Sequence, residues 1–304
     1  MNGTPAARLD SLEFLSASSK LLRDIRNGRG ASFEVSDDVE QFFIQAQMQR
    51  PKAKSVDKSD LFLTIIDPRS SITRKNTGFS IKSMMGHNPT LFNTAPASAV
   101  RYRLNNVTPA DMEEINSMVD DKGHAAVGRR CAAILEKGIK PVYVGYATAR
   151  NGEEVFRENL DIIDPRLPEV IERILWNHFF EGDSATDLPL VVNRVIKENP
   201  CSISRPEIKY PFMVKNFVYS AYCGLTASTP WDGEGKVNGG FITANADGQV
   251  LAHYALESQE FKNYLFKNCY LEFPSTAERH GNYAKVYNSD GEYYFNLNFQ
   301  IRNR

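Results

Sequence analysis

Residues 56–68, "VDKSDLFLTIIDP", and residues 75–83, "KNTGFSIKS", decide how this chain is read. The first puts an acid, Asp60, at the head of an apolar run. The second puts a lysine, Lys82, near the end of an apolar strand. Side chains alternate faces along a strand, so Asp60, Phe62, Thr64 and Ile66 share one face. Ser80 and Lys82 share one face of the next strand. Asp67-Pro68 opens the connection and Gly78 closes it. As neighbours in a hairpin, the two strands bring Asp60 and Lys82 to one end.

A phosphodiester hydrolase uses such a pair. The carboxylate holds Mg²⁺, which polarises the scissile phosphate and acidifies a bound water; the lysine orients or deprotonates that water and offsets charge. A surface hairpin with two solvated charges has the same spacing, so spacing alone does not choose between them.

Composition narrows the class. The chain has 304 residues and is 42% hydrophobic, with 18 Phe and 13 Tyr, which supplies a full core and excludes a disordered chain. The formal net charge of −1 rules out a basic coat, though not a basic face. Cys131, Cys201, Cys223 and Cys269 are scattered, with no C-x-x-C, which argues against a zinc site or a disulfide framework. No apolar run reaches the roughly 18–20 residues that span a bilayer, and "MNGTPAARLDSLEF" has no apolar signal core. The expectation is a soluble intracellular protein.

Leu9, Leu12, Leu15, Leu21, Leu22 and Ile25 recur at helical spacing over 8–26, and "NGRG" ends the helix. A second helix starts near Asp37, with Glu40 completing a capping box. Thr108-Pro109 opens another, and "AAVGRRCAAILEKG" is the next. "KPVYVGYAT" reads as a strand, and helices follow near 167–181, 185–198 and 209–224. The last third changes character. It reads as a hairpin turning at Asp247-Gly248, a short helix "SQEFKNYLFKN" and a hairpin turning at Asp290-Gly291. The order predicts a mixed α/β (α+β) chain. "NGG" at 238–240 is not a phosphate loop, because it lacks the lysine and leads into a strand.

The runs "AKSVDKSDLFLTIIDPRS" and "GFSIKSMMGHNPTLFN" resemble the HpaII-type restriction endonuclease family. So, in the same order, do "FRENLDIIDPRLPEVIERIL", "WDGEGKVNGGFI", "FKNYLFKN", "STAERH" and "LNFQIR". The resemblance covers most of the chain from about residue 50 onward; the first 50 residues match less clearly. It implies a PD-(D/E)xK nuclease fold, a central mixed sheet flanked by helices, cutting double-stranded DNA with Mg²⁺. It implies a single nuclease domain over 1–304, with the catalytic hairpin and following loop in 50–110 and a strand-rich recognition part in 226–304.

Onto that pattern Asp60 falls as the first metal-binding acid and Lys82 as the catalytic lysine. Ser80 falls where such enzymes usually carry Glu or Asp, and a hydroxyl is a poorer Mg²⁺ ligand. Three repairs are open. The site works with Asp60, the Ile81 carbonyl and waters; or a carboxylate comes from elsewhere; or the protein binds DNA without cutting it. For the second, Asp10 and Glu13 lie three apart on one helical face and match the spacing of the family's paired acids, with Glu13 the better candidate. An acid in a helix's first turn also suits the macrodipole without any catalytic role. Asp57 and Asp67 rank below Asp60.

For DNA contacts, Lys52, Lys54 and Lys58 suit phosphates, which give affinity without sequence information; a solvated linker suits them equally. Arg69, Arg74 and Lys75, placed in the hairpin connection, carry the same ambiguity. Base reading needs bidentate groups. Two loops supply them, one with His87, Asn88, Thr90 and Asn93, the other with Arg279, His280 and Asn282. Gln300 and Arg302 read as structural residues or a phosphate contact. A palindromic site predicts a homodimer. A cognate methyltransferase is a functional partner. The rival readings are a DNA-binding module and an unrelated α/β enzyme whose hairpin is pure structure.

Overall fold

The computed structural model describes residues 10–27, 35–46, 59–67, 72–83, 90–119, 124–148, 152–235, 237–244, 250–254, 259–274 and 283–304. Backbone contacts divide the chain into two compact units, Met1–Asp57 and Lys58–Arg304.

The first unit contains helices α1 (Ser11–Asn27) and α2 (Asp37–Gln45). Ala17, Val39, Phe42 and Phe43 are buried together, with Leu21 packed on them. Asp10 caps α1, its Oδ1 accepting the N–H of Leu12 at 2.8 Å and of Glu13 at 3.3 Å. The capping box expected from Asp37 does not form, because Asp37 already lies inside the helix and Ser36 is the N-cap. The Ser36 N–H and hydroxyl both donate to Asp24 Oδ2, at 3.0 and 2.8 Å, and tie the start of α2 to α1.

In the second unit the predicted hairpin is present as β1 (Leu61–Asp67) and β2 (Ile72–Ser83), paired antiparallel. The second strand begins well before "FSIKS". Arg74 and Lys75 therefore lie within β2, not in a connection. The mixed sheet has the order β1-β2-β6-β7, with β6 (Gly240–Ala244) parallel to β2 and β7 (Val250–Tyr254) antiparallel to β6. Two antiparallel sheets complete the mixed α/β fold. One joins β4 (Val100–Asn105), β5 (Lys140–Tyr146), β9 (Val286–Ser289) and β10 (Glu292–Leu297) in the order β5-β4-β10-β9. The other joins β3 (Thr90–Phe92), β8 (Cys269–Glu272) and β11 (Gln300–Asn303) in the order β3-β11-β8. The Asp290-Gly291 turn links β9 to β10 as expected, both residues at positive φ.

The helices of this unit are α3 (Pro109–Ser117), α4 (His124–Glu136), α5 (Val155–Ile163), α6 (Leu167–Phe179), α7 (Leu188–Glu198), α8 (Pro206–Tyr222) and α9 (Gln259–Asn268). One aromatic knot binds them to the sheets. Phe92 of β3 stacks on Phe156 of α5 at 5.1 Å and on Phe299, beside β11, at 5.4 Å, and meets Phe217 of α8 edge-on at 5.4 Å. These rings are fully buried, so each contributes its whole apolar area. Among the described residues no helix is long and apolar enough to cross a membrane.

One acid lies against this core. Glu172 of α6 accepts a hydrogen bond from the Tyr102 hydroxyl of β4 at 3.0 Å. Burial pushes its carboxyl up from 4.5 to about 7, against the opposing effect of that hydroxyl. Between those two values the folded chain holds a proton that the unfolded chain releases, so stability falls as pH rises through the window. Glu172→Gln should remove that fall. In urea titrations it should match the parent chain near pH 4 and exceed it near pH 8 by on the order of 2 kcal/mol. Parallel stability profiles for the two chains would contradict this.

Candidate active site

Asp60 stands exposed, one residue before β1. Its N–H donates to the Phe79 carbonyl at 2.8 Å, which fixes it beside β2. Its carboxylate Oδ2 accepts the Ile81 N–H at 2.7 Å and the Ser80 hydroxyl at 3.2 Å. The cause is a difference in strand length. β2 continues to Ser83 while β1 begins only at Leu61, so the Ile81 N–H runs past its partner strand. A backbone donor needs an acceptor, and the carboxylate supplies it.

Backbone direction places a second oxygen there. Both polar groups of Gly78 turn away from β1. Its N–H donates to Asn238 Oδ1 at 2.9 Å, and its carbonyl accepts the Gly239 N–H at 2.8 Å. Peptide groups alternate sides along a strand, so those of Phe79 and Ile81 turn toward β1. The Ile81 carbonyl therefore projects on the Asp60 side, beyond the start of β1. Ser80 is buried, whereas the Ile81 side chain is 49% exposed. No hydrogen bond reaches Asp60 Oδ1 among the described residues. An exposed carboxylate beside the Ile81 backbone is of the hard-oxygen type that would fit a hard divalent cation whose remaining ligands are waters. Among the described residues no three His, Cys, Asp or Glu side chains converge on a metal site.

The other candidates are spread. Lys82 follows in β2, its backbone opposite Thr243 of β6. Glu13 is exposed in the first turn of α1, in the first unit. Asp67 pairs with Ile72 at the far end of the hairpin, which removes it as a substitute for Asp60. Thr90 is not in a loop but in β3, opposite Arg302 of β11, because Phe92 draws this segment into the core. Asn93, just after β3, is exposed. Gln300 and Arg302 both donate to Glu272, Arg302 through Nε at 2.6 Å, and so have a structural role. Lys52, Lys54, Asp57, Lys58, Arg69, His87, Asn88, Arg279, His280 and Asn282 lie outside the described residues.

The sequence reading missed the parallel pairing of β2 with β6, from Phe79 opposite Gly240 to Ser83 opposite Ala244. It joins segments far apart in the chain. A local signal existed in the paired glycines ahead of "FITA", since glycine at a strand marks a close backbone approach.

The family model for HpaII restriction endonuclease matches residues 2–303. The type II restriction enzyme HpaII of Haemophilus parainfluenzae is 25% identical over 284 residues, covering 93% of this chain and 75% of that protein. No solved structure matches. The match takes in the β1–β2 hairpin, β6 and the C-terminal strands alike. The chain therefore belongs to the HpaII restriction endonuclease family and is a type II site-specific deoxyribonuclease.

Proposed function

We propose that the chain hydrolyses double-stranded DNA at the Asp60–Ile81 strand end with Mg²⁺, leaving 5′-phosphate and 3′-hydroxyl termini. The observation that carries this reading is the exposed Asp60 carboxylate, held by the Ile81 N–H at 2.7 Å through one of its oxygens. Asp60 and the Ile81 carbonyl would hold the ion. When bound, the ion would acidify a coordinated water and neutralise charge on the phosphate. Lys82 orients the attacking water and offsets negative charge on the phosphoryl oxygens. Ser80 replaces the usual second acid and keeps Asp60 in place through its hydroxyl. Glu13 is the candidate for a further carboxylate ligand, carried over from the family's paired acids.

For DNA contacts we assign Lys52, Lys54 and Lys58 to phosphates, and His87, Asn88, Asn93, Arg279 and His280 to site recognition. Thr90 is a weaker candidate because β3 holds its backbone. A palindromic site would be met by a homodimer with one active site per strand. A methyltransferase protecting that site, and the bacterial cytoplasm, complete the proposed setting.

Phage-length duplex DNA incubated with Mg²⁺ should give discrete fragments that EDTA abolishes. Fragment ends should accept phosphate from polynucleotide kinase only after phosphatase treatment. Asp60→Ala should lower cleavage by about a thousandfold or more, because it removes the side chain proposed to hold the ion. Ser80→Ala removes only a 3.2 Å hydrogen bond and should cost less than about tenfold. An Asp60→Ala chain that still cuts refutes the site. Folded parent chain that retards some fragments and cuts none supports the binding-only rival.

A further inference from the structure

We propose that Asn238 is a positioning residue for the catalytic strand. It acts on the Asp60–Ile81 site from the opposite edge of β2, so the inference rests on the site proposed above. Gly78 lies two residues before Ser80 and has both backbone groups taken by two consecutive residues. Asn238 Oδ1 accepts its N–H at 2.9 Å, and the Gly239 N–H donates to its carbonyl at 2.8 Å. A parallel ladder normally meets a strand with backbone groups alone. Here a side-chain oxygen takes the place of a carbonyl at Gly78, one residue before the β2–β6 pairing begins at Phe79. That contact sets where β6 starts along β2, and the register from Phe79–Gly240 to Ser83–Ala244 follows from it.

Gly239 makes the approach close enough. A Cβ there would stand 2.5 Å from Phe79 Cε2 and 2.6 Å from Thr77 Cγ2, inside any tolerated contact. The other edge of β2 is held by the Asp60 N–H on the Phe79 carbonyl. The strand is thus gripped on both sides at Gly78–Phe79, just before it presents the Ile81 N–H to Asp60.

The grip is anchored in the helical core. Val237 is 2% exposed, and its N–H donates to the carbonyl of Cys223, just after α8, at 3.1 Å. Upstream, the fully buried Asn159 of α5 donates through Nδ2 to the Thr226 and Thr229 carbonyls at 2.9 Å. Its Oδ1 accepts the Trp231 N–H, also at 2.9 Å. Asn238 is the side chain through which this anchored segment holds β2. Loss of its oxygen should let Ser80, Ile81 and Lys82 shift against Asp60 without disturbing surfaces that bind DNA elsewhere.

The test compares full-length Asn238→Ala, Asn238→Asp, Gly239→Ala and Asp60→Ala with the parent chain. Each is measured for single-turnover cleavage of its target duplex at saturating enzyme, and for dissociation of that duplex in EDTA. Misplacement of reacting groups by about 1 Å costs up to roughly a hundredfold. Asn238→Ala should cut about 10- to 100-fold more slowly, with duplex affinity within about threefold of parent. Asn238→Asp keeps an oxygen at the same position and should recover most of the rate. Gly239→Ala should be slowed by pushing β6 off β2. Should Asn238→Ala not fold, Asn238→Gln, which displaces the oxygen by one methylene, takes its place with the same expectation. Asn238→Ala cutting at the parent rate while Asp60→Ala is inactive overturns this inference alone. So does a rate loss that follows weakened binding, or one that Asn238→Asp does not recover. Asp60→Ala cutting at the parent rate overturns the underlying site instead.

Discussion

A backbone N–H that runs past the end of its partner strand must find an acceptor, and at Ile81 the acceptor is the Asp60 carboxylate. A charge-assisted bond of this kind is shorter and stronger than a typical neutral one. It has two consequences for the site. Asp60 Oδ2 is committed to the strand by the Ile81 N–H and the Ser80 hydroxyl, which leaves Oδ1 without a hydrogen-bond partner among the described residues. The Ile81 carbonyl, on the same side of the same residue, becomes its neighbour. The proposed two-oxygen donor set arises because β2 runs on to Ser83 while its pairing with β1 ends at Phe79 opposite Leu61, without a cluster of acids.

That economy bears on Ser80. A magnesium ion retains several waters and is commonly bound through one or two carboxylates together with substrate phosphate. In the proposed site a single fixed carboxylate and a carbonyl meet that requirement in part, and the DNA itself supplies further oxygens. The serine is then not a defect. Its hydroxyl reaches the same Asp60 oxygen that the Ile81 N–H reaches, so it helps to hold the acid proposed to bind the ion. The demand shifts from ligand number to strand placement, which is why the contacts of Gly78 with Asn238 and Gly239 are of consequence.

Local features of this architecture were readable from residues alone. The alternation in "DLFLTIID" and "GFSIKS" indicated β1, the end of β2 and their pairing, and Thr108-Pro109 indicated the α3 start, where Asp111 completes the cap. Other features depended on distant partners. β3, β8 and β11 span three or four residues each, too few for a period to register, and exist because Phe92, Leu271 and Ile301 are drawn into the core. The β2–β6 pairing joins residues 79–83 to 240–244, and no local pattern specifies a parallel partner that far away. Thr90 was misread as a loop residue for the same reason. At the site, Asp60 was legible as an acid opening a strand. Its role as acceptor for Ile81 was not, because that depends on where β1 stops relative to β2.

The proposed site turns on whether Asp60 and the Ile81 carbonyl hold a cation together on DNA. A crystal structure of the parent chain with its target duplex and Ca²⁺, a cation too poorly matched to an octahedral Mg²⁺ site to support cutting well, tests this most directly. One ion should stand within about 2.3–2.6 Å of an Asp60 carboxylate oxygen and of the Ile81 carbonyl, with the scissile phosphate on the same ion. An ion on the scissile phosphate held by other residues, with Asp60 still bound only to the Ile81 N–H, would contradict it.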